Sequence, residues 1–125
     1  MIRSVGLDVI EIDRMAASLR RFGDRFRQRV FTEQECRYCD AHVEPHVHFA
    51  ARFAAKEAAM KALGTGHSQG VFWTGIEVVR RHGPPALRFH GGAAERFAAL
   101  GCTGSLLTLT HSRQLAIAHV LLTKG

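Results

Sequence analysis

Residues 53–66 read FAAKEAAMKALGTG and hold the strongest indication of chemistry in this sequence. Glu57 and Lys61 are four residues apart, so a helix would bring their side chains together on one face. Lys56 and the nearby Arg52 add further cations, and most of the residues between them are alanine. One carboxylate among several cations suits the binding of phosphate groups with a metal ligand among them. The structural alternative is a solvated Glu–Lys pair, which is worth about 0.3–0.5 kcal/mol.

A second chemical group lies near the start of the chain, where residues 1–12 show the alternation of a β-strand. Val5, Leu7 and Val9 share one face of this strand, and Asp8 lies on the other face. Burying a carboxylate without a partner is costly. We therefore expect another element of the fold to supply a partner for Asp8.

Local signals place these residues in a domain that mixes helices and strands. Asp13 is a candidate N-cap, Thr32 and Glu35 fit a capping box, and Gly64 ends the longest helical pattern. The predicted order is a strand over 1–12, helices over 13–23, 24–30 and 32–44, a long helix over 48–63, strands over 71–81 and 86–90, a helix over 93–100, and a hairpin of strands 105–111 and 114–122. This order predicts the α+β class.

Composition limits the kind of protein and the kind of partner. The 125 residues make a single domain, 1–125, that can bury a core without disulfides, and 46% hydrophobic residues exclude intrinsic disorder. With no long apolar run and no recognisable signal peptide, we expect a cytoplasmic protein with reduced cysteines. Seventeen basic residues, fourteen of them Arg, outnumber eleven acidic ones. The expected partner is therefore anionic: nucleic acid, a phosphorylated cofactor or an acidic protein.

Residues 6–8 (GLD) and 53–66 together resemble the two signature motifs of the holo-[acyl-carrier-protein] synthases, the small bacterial 4′-phosphopantetheinyl transferases. Residues 109–113 (LTHSR) resemble the C-terminal motif of that family, and the similarity extends over essentially the whole chain. The resemblance implies a fold in which one antiparallel sheet packs with a long central helix and shorter helices. It also implies transfer of phosphopantetheine from coenzyme A to a serine of an apo-acyl carrier protein, with release of adenosine 3′,5′-bisphosphate, in fatty acid biosynthesis.

The same resemblance implies a Mg²⁺-dependent reaction. Asp8 and Glu57 match the metal ligands of the family, and Mg²⁺ prefers one or two carboxylates together with waters and substrate phosphate oxygens. Lys61 matches a position near the transferred phosphate, where it would stabilise developing charge. Either Lys61 or Glu57 would help to remove the serine proton. Asp8 and Glu57 are distant in sequence, so only the fold can bring them together.

Coenzyme A is the implied co-substrate. His111 matches a family histidine that reaches the coenzyme from a neighbouring subunit, because members are typically homotrimers with active sites between subunits; the alternative is a histidine that caps a hairpin turn. Residues 83–85 (GPP) stand where the family often has Gly-Lys-Pro, so one cation is missing. The residues implied in coenzyme binding are Arg52, Lys56, Lys61, Gly64 and His111.

Docking of the acidic carrier protein would account for the basic charge without a nucleic-acid or membrane partner. The matching positions follow the first strand, and they are Arg14, Met15, Arg25, Phe26 and Arg29. The arginines would steer and orient the carrier, while Met15 or Phe26 would supply apolar contact. The structural alternative is a solvated basic face.

Two other classes of protein fit parts of the sequence less well. A nucleic-acid-binding module would explain the charge, but no helix-turn-helix or RNA-binding signature is present. A zinc site would use a Cys-x-x-Cys-x-x-His pattern. Its cysteines fall within a predicted helix and its later histidines straddle a proline, so packing is the preferred explanation. The residues of that pattern are Cys36, Cys39, His42, His46 and His48.

Overall fold

The computed structural model describes residues 1–125, and it arranges three α-helices and five strands around a fourth, long helix. In chain order the elements are β1 (Ile2–Glu11), α1 (Ile12–Val30), α2 (Glu33–Asp40), α3 (Pro45–Leu63), β2 (Ile76–Val79), β3 (Ala86–Phe89), α4 (Gly91–Ala99), β4 (Gly104–His111) and β5 (Leu115–Thr123). A single 3-10 turn, Trp73–Gly75, leads into β2. The predicted α+β class is confirmed.

The strands form two antiparallel sheets, where a single sheet was expected. The larger sheet has the order β1-β5-β4, and the smaller one is the β2–β3 pair. Ile76 and Val78 of β2 belong to the same core as the inner residues of β5, such as Val120. The two sheets therefore share the long helix α3 as a common support instead of joining edge to edge.

Helix α3 lies at the centre of the molecule, and most of its side chains are buried. Alanine favours the helix and its short side chain lets other backbones come close. One half of the helix packs against the two sheets, and the other half packs against α1 and α2. Neither α3 nor any other helix is long and apolar enough to cross a membrane. The fully buried alanines of this helix are Ala50, Ala54, Ala55, Ala58 and Ala59.

Strand β1 meets α3 at Gly6. A Cβ atom at this position would stand 1.8 Å from the carbonyl oxygen of Ala58, a distance that no real contact allows. Nearby, the Ser4 hydroxyl donates a hydrogen bond of 2.6 Å to the carbonyl oxygen of Ala62. Only glycine fits between strand and helix here, and the close approach brings Asp8, two residues further along β1, beside the same helix.

The outer face of the larger sheet is apolar and exposed. On β1, the side chains of Val5, Leu7 and Val9 are 55%, 55% and 49% exposed, and Leu106 on β4 is 61% exposed. The inner face combines Gly6 and the fully buried alanines of β5 with larger buried residues such as Val120 and Leu122. In a single chain, most of the larger aliphatic side chains of β1 therefore face outward, and Ile10 packs against the core.

Several helices begin or end at residues other than those predicted. The two predicted helices over 13–30 form one element, α1, interrupted by the non-helical conformation of Gly23 (φ 57°, ψ −138°). Asp13 is not the N-cap but lies in the first turn, because the helix already begins at Ile12. The helix predicted over 32–44 ends earlier, at Asp40, so Pro45 does not end it. Pro45 instead starts α3, where its missing N–H would have no helical partner anyway.

We expect Gly6→Ala to destabilise the fold by about 3 kcal/mol or more, because the new methyl group must push β1 away from α3. Gly83→Ala is the matched control: its Cβ would meet nothing within 4 Å, and its positive φ of 83° adds only backbone strain of about 1–2 kcal/mol. Urea unfolding of both variants measures the difference. Equal losses in the two variants would contradict the close approach.

Candidate active site

Asp8 and Lys61 form the first pair of the site. The Lys61 ammonium donates hydrogen bonds of 2.8 Å to Oδ1 of Asp8 and 3.1 Å to the carbonyl oxygen of Leu7. The Lys61 side chain remains mostly exposed, whereas that of Asp8 is largely covered. The partner expected for the Asp8 charge is therefore supplied by α3, and the ammonium still faces solvent.

Glu57 lies beside this pair, one turn earlier on α3. Burial raises the pKa of its carboxyl group, the nearby His67 lowers it, and the negative charge of Asp8 raises it further. The His67 ring nitrogen Nε2 stands 3.5 Å from Oε2 of Glu57. The structure thus brings together Asp8, Glu57 and Lys61, as the sequence predicted, and adds His67. The position of His67, three residues after the helix-ending Gly64, was the only signal in the sequence that it could lie near this site.

The two carboxylates suit a magnesium ion. Asp8 and Glu57 are close enough for one charge to disfavour the other, and Lys61 offers them a single positive charge. No three His, Cys, Asp or Glu side chains are arranged to hold a metal ion together. Mg²⁺ needs no such set, because it completes its shell with waters and substrate phosphate oxygens. The residues present therefore fit this ion as a two-carboxylate site.

Lys56 has a different place from the one expected for a coenzyme ligand. Its side chain is 0% exposed, and its ammonium lies 2.8 Å from Oε1 of Glu35. It also donates to the carbonyl oxygens of Trp73 and Ile76, at 2.9 and 2.5 Å. An ammonium has three donors, and all three are used inside the protein. This geometry gives Lys56 no free donor for a phosphate.

Arg52, by contrast, lines a small cavity suited to an anion. It is only 3% exposed, its guanidinium carbon lies 3.9 Å from the centre of the Tyr38 ring, and its buried Nε has no hydrogen-bond partner. The cavity has a volume of about 80 Å³ and no acidic side chain in its lining. Arg80 and Arg81, which the sequence analysis did not single out, also line it. Two further arginines beside the unpaired donor of Arg52 favour a negatively charged ligand.

His111 lies exposed at the end of β4, where it lines a surface cavity together with His46 and Val47 at the start of α3. Burial lowers the pKa of His48, and the nearby positive charges of His42, Arg52, His111 and Arg80 lower it further. His111 is thus on the Arg52 side of the molecule. Gly64 ends α3 in the left-handed conformation (φ 76°), three residues after Lys61. The expected coenzyme residues therefore divide into two separate groups within one chain.

The residues expected to dock a carrier protein meet at the side of α1. Arg14, Met15 and Phe26 line one cleft together with Phe53, which lies one turn before Glu57 on α3. Met15 is almost fully buried, so it forms the floor of the cleft rather than its rim. Arg25 and Arg29 are exposed on the second half of α1. An apolar cleft beside exposed arginines thus lies next to Glu57.

The cysteine and histidine pattern is divided among different surroundings. Cys39 is fully buried in the core, and burial raises the pKa of its thiol to about 12. Cys36 interacts with Arg27, and burial raises its thiol pKa too. The rings of His42 and His48 pack against each other at an interplanar angle of 34°, with their centres 3.9 Å apart. These contacts are those of packed side chains.

Comparisons with known proteins identify the family of this chain. The family model of the 4′-phosphopantetheinyl transferase superfamily matches residues 4–118, and the chain belongs to this family. A holo-[acyl-carrier-protein] synthase from Koribacter versatilis is 48% identical over 123 residues, which cover 98% of each chain. The family supports the interpretation as a transferase rather than as a nucleic-acid-binding module.

Solved structures show the same fold. The holo-[acyl-carrier-protein] synthase of Neisseria meningitidis matches with a TM-score of 0.90 at 27% identity, covering 99% of this chain and 100% of that one. The synthase of Bacillus anthracis, solved in complex with CoA (3′,5′-ADP), matches with a TM-score of 0.81 at 32% identity, covering 100% and 99%. The resemblance inferred from residues 6–8 and 53–66 is confirmed.

We expect Lys61→Met to raise the pKa of Glu57 further, because the Lys61 charge lowers that pKa in the native protein. Removing a nearby cation disfavours the ionised carboxylate. A ¹³C NMR titration of the glutamate carboxyl groups measures the shift, with Lys124→Met at the exposed C-terminus as control. An unchanged Glu57 titration in Lys61→Met would show that the two side chains do not interact.

Proposed function

We propose that this chain transfers 4′-phosphopantetheine from coenzyme A to a serine of an apo-acyl carrier protein, giving the holo protein and adenosine 3′,5′-bisphosphate. The observation that carries the proposal is the meeting of Asp8, Glu57 and Lys61 in a family of phosphopantetheinyl transferases. The relatives named holo-[acyl-carrier-protein] synthase support the choice of substrates. We further propose that the reaction serves fatty acid biosynthesis in the cytoplasm.

In the proposed reaction, the serine oxygen forms a bond to the β-phosphorus of coenzyme A while the bond to the bridging oxygen breaks. Asp8 and Glu57 would hold Mg²⁺, which when bound would neutralise the pyrophosphate. The Lys61 ammonium, exposed and held by Asp8, is placed to stabilise charge on the transferred phosphate. Glu57 is the proposed acceptor for the serine proton, because the Lys61 side chain is already bonded to Asp8 and to the Leu7 carbonyl oxygen.

Arg52 is proposed as a ligand of a coenzyme phosphate outside the reacting pyrophosphate. Its unpartnered Nε and the absence of acidic residues in its cavity support this role. The cavity is small, so it fits one phosphate group rather than the adenosine portion. Lys56 is left out of the proposed ligands because its donors are already occupied. The KM for coenzyme A of Arg52→Met measures the contact.

A homotrimer with active sites between subunits is proposed as the working assembly. The exposed apolar face formed by Val5, Leu7 and Val9 needs a cover, and a second copy of the chain is the occupant that the family resemblance favours. The separation of Arg52 and His111 from Glu57 supports the same assembly, because one coenzyme could then use the two groups from neighbouring chains. Sedimentation equilibrium of the native chain measures the number of subunits.

Carrier docking is proposed for the cleft of α1 and the arginines around it. The apolar lining of Phe26 and Phe53 would receive an apolar side chain of the carrier. The exposed arginines Arg14, Arg25 and Arg29 would attract its acidic surface. Because Phe53 lies one turn from Glu57, a carrier bound in this cleft would present its serine close to the proposed catalytic residues.

We expect Glu57→Gln and Asp8→Asn each to lower the transfer rate by about 100-fold or more, because each removes a charge that the reaction uses. Intact-mass spectrometry of an apo carrier incubated with coenzyme A, with and without Mg²⁺, measures the gain of one phosphopantetheine. Glu95→Gln, an exposed carboxylate on α4, is the control. An active double variant would refute the assignment of these ligands. A wild-type chain that modifies no apo carrier would refute the function.

Arg25→Ala is expected to raise the KM for the carrier about fivefold to tenfold and to leave the KM for coenzyme A unchanged. The reason is that Arg25 is exposed on α1 and would contact only the carrier. Added salt should raise the carrier KM of the wild type more than that of the variant, since it screens the lost charge. Arg37→Ala, exposed on α2, is the matched control. Equal effects of both substitutions would indicate a dependence on net charge alone.

A further inference from the structure

Lys56, the residue before Glu57 on α3, forms a fully buried ion pair with Glu35. Neither its side chain nor that of Glu35 has any exposed surface. Such a pair is weak evidence for stability, because the desolvation of two charges offsets most of their attraction. Apolar residues of similar size would often serve the core as well. Stability alone therefore does not account for the presence of this ion pair in the core.

The carboxylate of Glu35 connects three elements. Its Oε1 accepts from the Thr32 backbone N–H at 2.8 Å, which completes the capping box of α2. Its Oε2 accepts from the Val78 N–H of β2 at 2.8 Å. Together with Lys56, these bonds hold α2, α3 and β2 at one point, and each charged group is fully paired. The ion pair is thus a rigid, saturated junction.

The ammonium of Lys56 extends this junction to the chain segment 64–72, which follows α3 and leads to Trp73. It holds the carbonyl oxygens of Trp73 and Ile76, immediately after that segment. Residues 66–70 are all exposed, and several take positive φ values, so this stretch has little packing of its own. Its position depends on the buried residues on either side, which are Thr65 after α3 and Val71 just before the backbone that Lys56 binds.

The segment in turn borders the proposed catalytic group. The Trp73 ring lies 4.1 Å from the ring of His67, centre to centre, in an edge-to-face contact. His67 then stands 3.5 Å from the carboxylate of Glu57. A continuous set of contacts therefore runs from the buried Lys56 ammonium through Trp73 and His67 back to Glu57.

We propose that Lys56 is a positioning residue for the transfer reaction: its buried ammonium fixes the backbone at Trp73 and Ile76, so that segment 64–72 places His67 against Glu57. Lys56 does not touch the substrates, and Glu35 serves as its counter-ion. This inference rests on the proposed function. It predicts a loss in kcat rather than in coenzyme binding, because a misplaced catalytic carboxylate slows the reaction even when substrates still bind.

Two variants separate this role from simple stability. In Glu35→Gln the buried lysine loses its counter-ion, and one of the two backbone N–H groups bound by Glu35, that of Thr32 or that of Val78, loses its acceptor. Even as a neutral amine, Lys56 keeps two donors for the two carbonyl oxygens. In the double variant Glu35→Gln/Lys56→Met neither charge is buried, and the two carbonyl oxygens lose their donor. The lost acceptor is common to both variants, so their difference isolates Lys56. We expect kcat to fall about tenfold or more in the double variant and to stay within about threefold of wild type in Glu35→Gln. The KM for coenzyme A should change little in either.

Trp73 is the only tryptophan of the chain, so its fluorescence reports the position of the segment without any assay of activity. We expect altered emission and faster amide exchange over 64–72 in the double variant, with native emission in Glu35→Gln. Wild-type kcat and emission in a folded double variant would overturn the inference. A rise in KM for coenzyme A at unchanged kcat would also overturn it and make Lys56 a phosphate ligand.

His67→Ala keeps the inference testable if the double variant does not fold, because His67 is exposed and its loss leaves the core intact. We expect a kcat at least about threefold lower at unchanged coenzyme KM. Native kcat in this variant would contradict a role for the segment at Glu57. Failure of the wild-type chain to modify any carrier would refute the proposed function instead. The emission and exchange data would still test whether Lys56 positions segment 64–72.

Discussion

The contact between β1 and α3 at Gly6 is the constraint on which the arrangement of the molecule depends. Because no side chain fills the space between Gly6 and Ala58, the strand lies directly against the helix backbone. Asp8 and Lys61, which are 53 residues apart in sequence, are consequently joined by a hydrogen bond. The same close approach is consistent with the fully buried alanines Ala116 and Ala118 on the inner side of β5. A bulkier inner face would separate the carboxylates that the proposed reaction needs together.

Two lysines of helix α3 differ in burial and therefore in role, because Lys56 is fully buried and Lys61 is mostly exposed. Lys56 and Lys61 are five residues apart, so their side chains point in directions roughly 140° apart around α3. Lys56 faces α2 and β2, where Glu35 and two carbonyl oxygens use all its donors. Lys61 faces the edge of β1 and keeps its ammonium in contact with solvent. One lysine therefore organises the interior, and the other is available to a phosphate.

The division of the coenzyme residues into two groups has a simple geometric reason. Arg52 shares a face of α3 with Lys56, since the two are four residues apart, and this face points toward α2 and β2. Glu57 and Lys61 lie on the face turned toward β1. A single chain thus offers the proposed reaction centre on one face of α3 and an arginine-lined cavity on another. A chain of 125 residues can serve a large coenzyme in this way if its neighbours in an oligomer bring complementary groups together.

The sequence by itself determined the family and most of the local structure. The motif of residues 53–66, the capping box of Thr32 and Glu35 and the helix end at Gly64 are all local signals, and each was found where it was predicted. These features could be predicted because the atoms involved lie within a few residues of one another. The need of Asp8 for a partner also followed from its place on a strand.

The tertiary structure alone decided the rest, because it depends on contacts between distant residues. Alternation in β1 defines two faces, but both carry apolar residues, so only packing against α3 shows which one is inside. The burial of Lys56 requires Glu35 and the carbonyl oxygens of Trp73 and Ile76, which no spacing reveals. His67 reaches Glu57 only because the chain turns back after Gly64. Sequence thus determined which groups are present, and the close approach of strand and helix determined which of them meet.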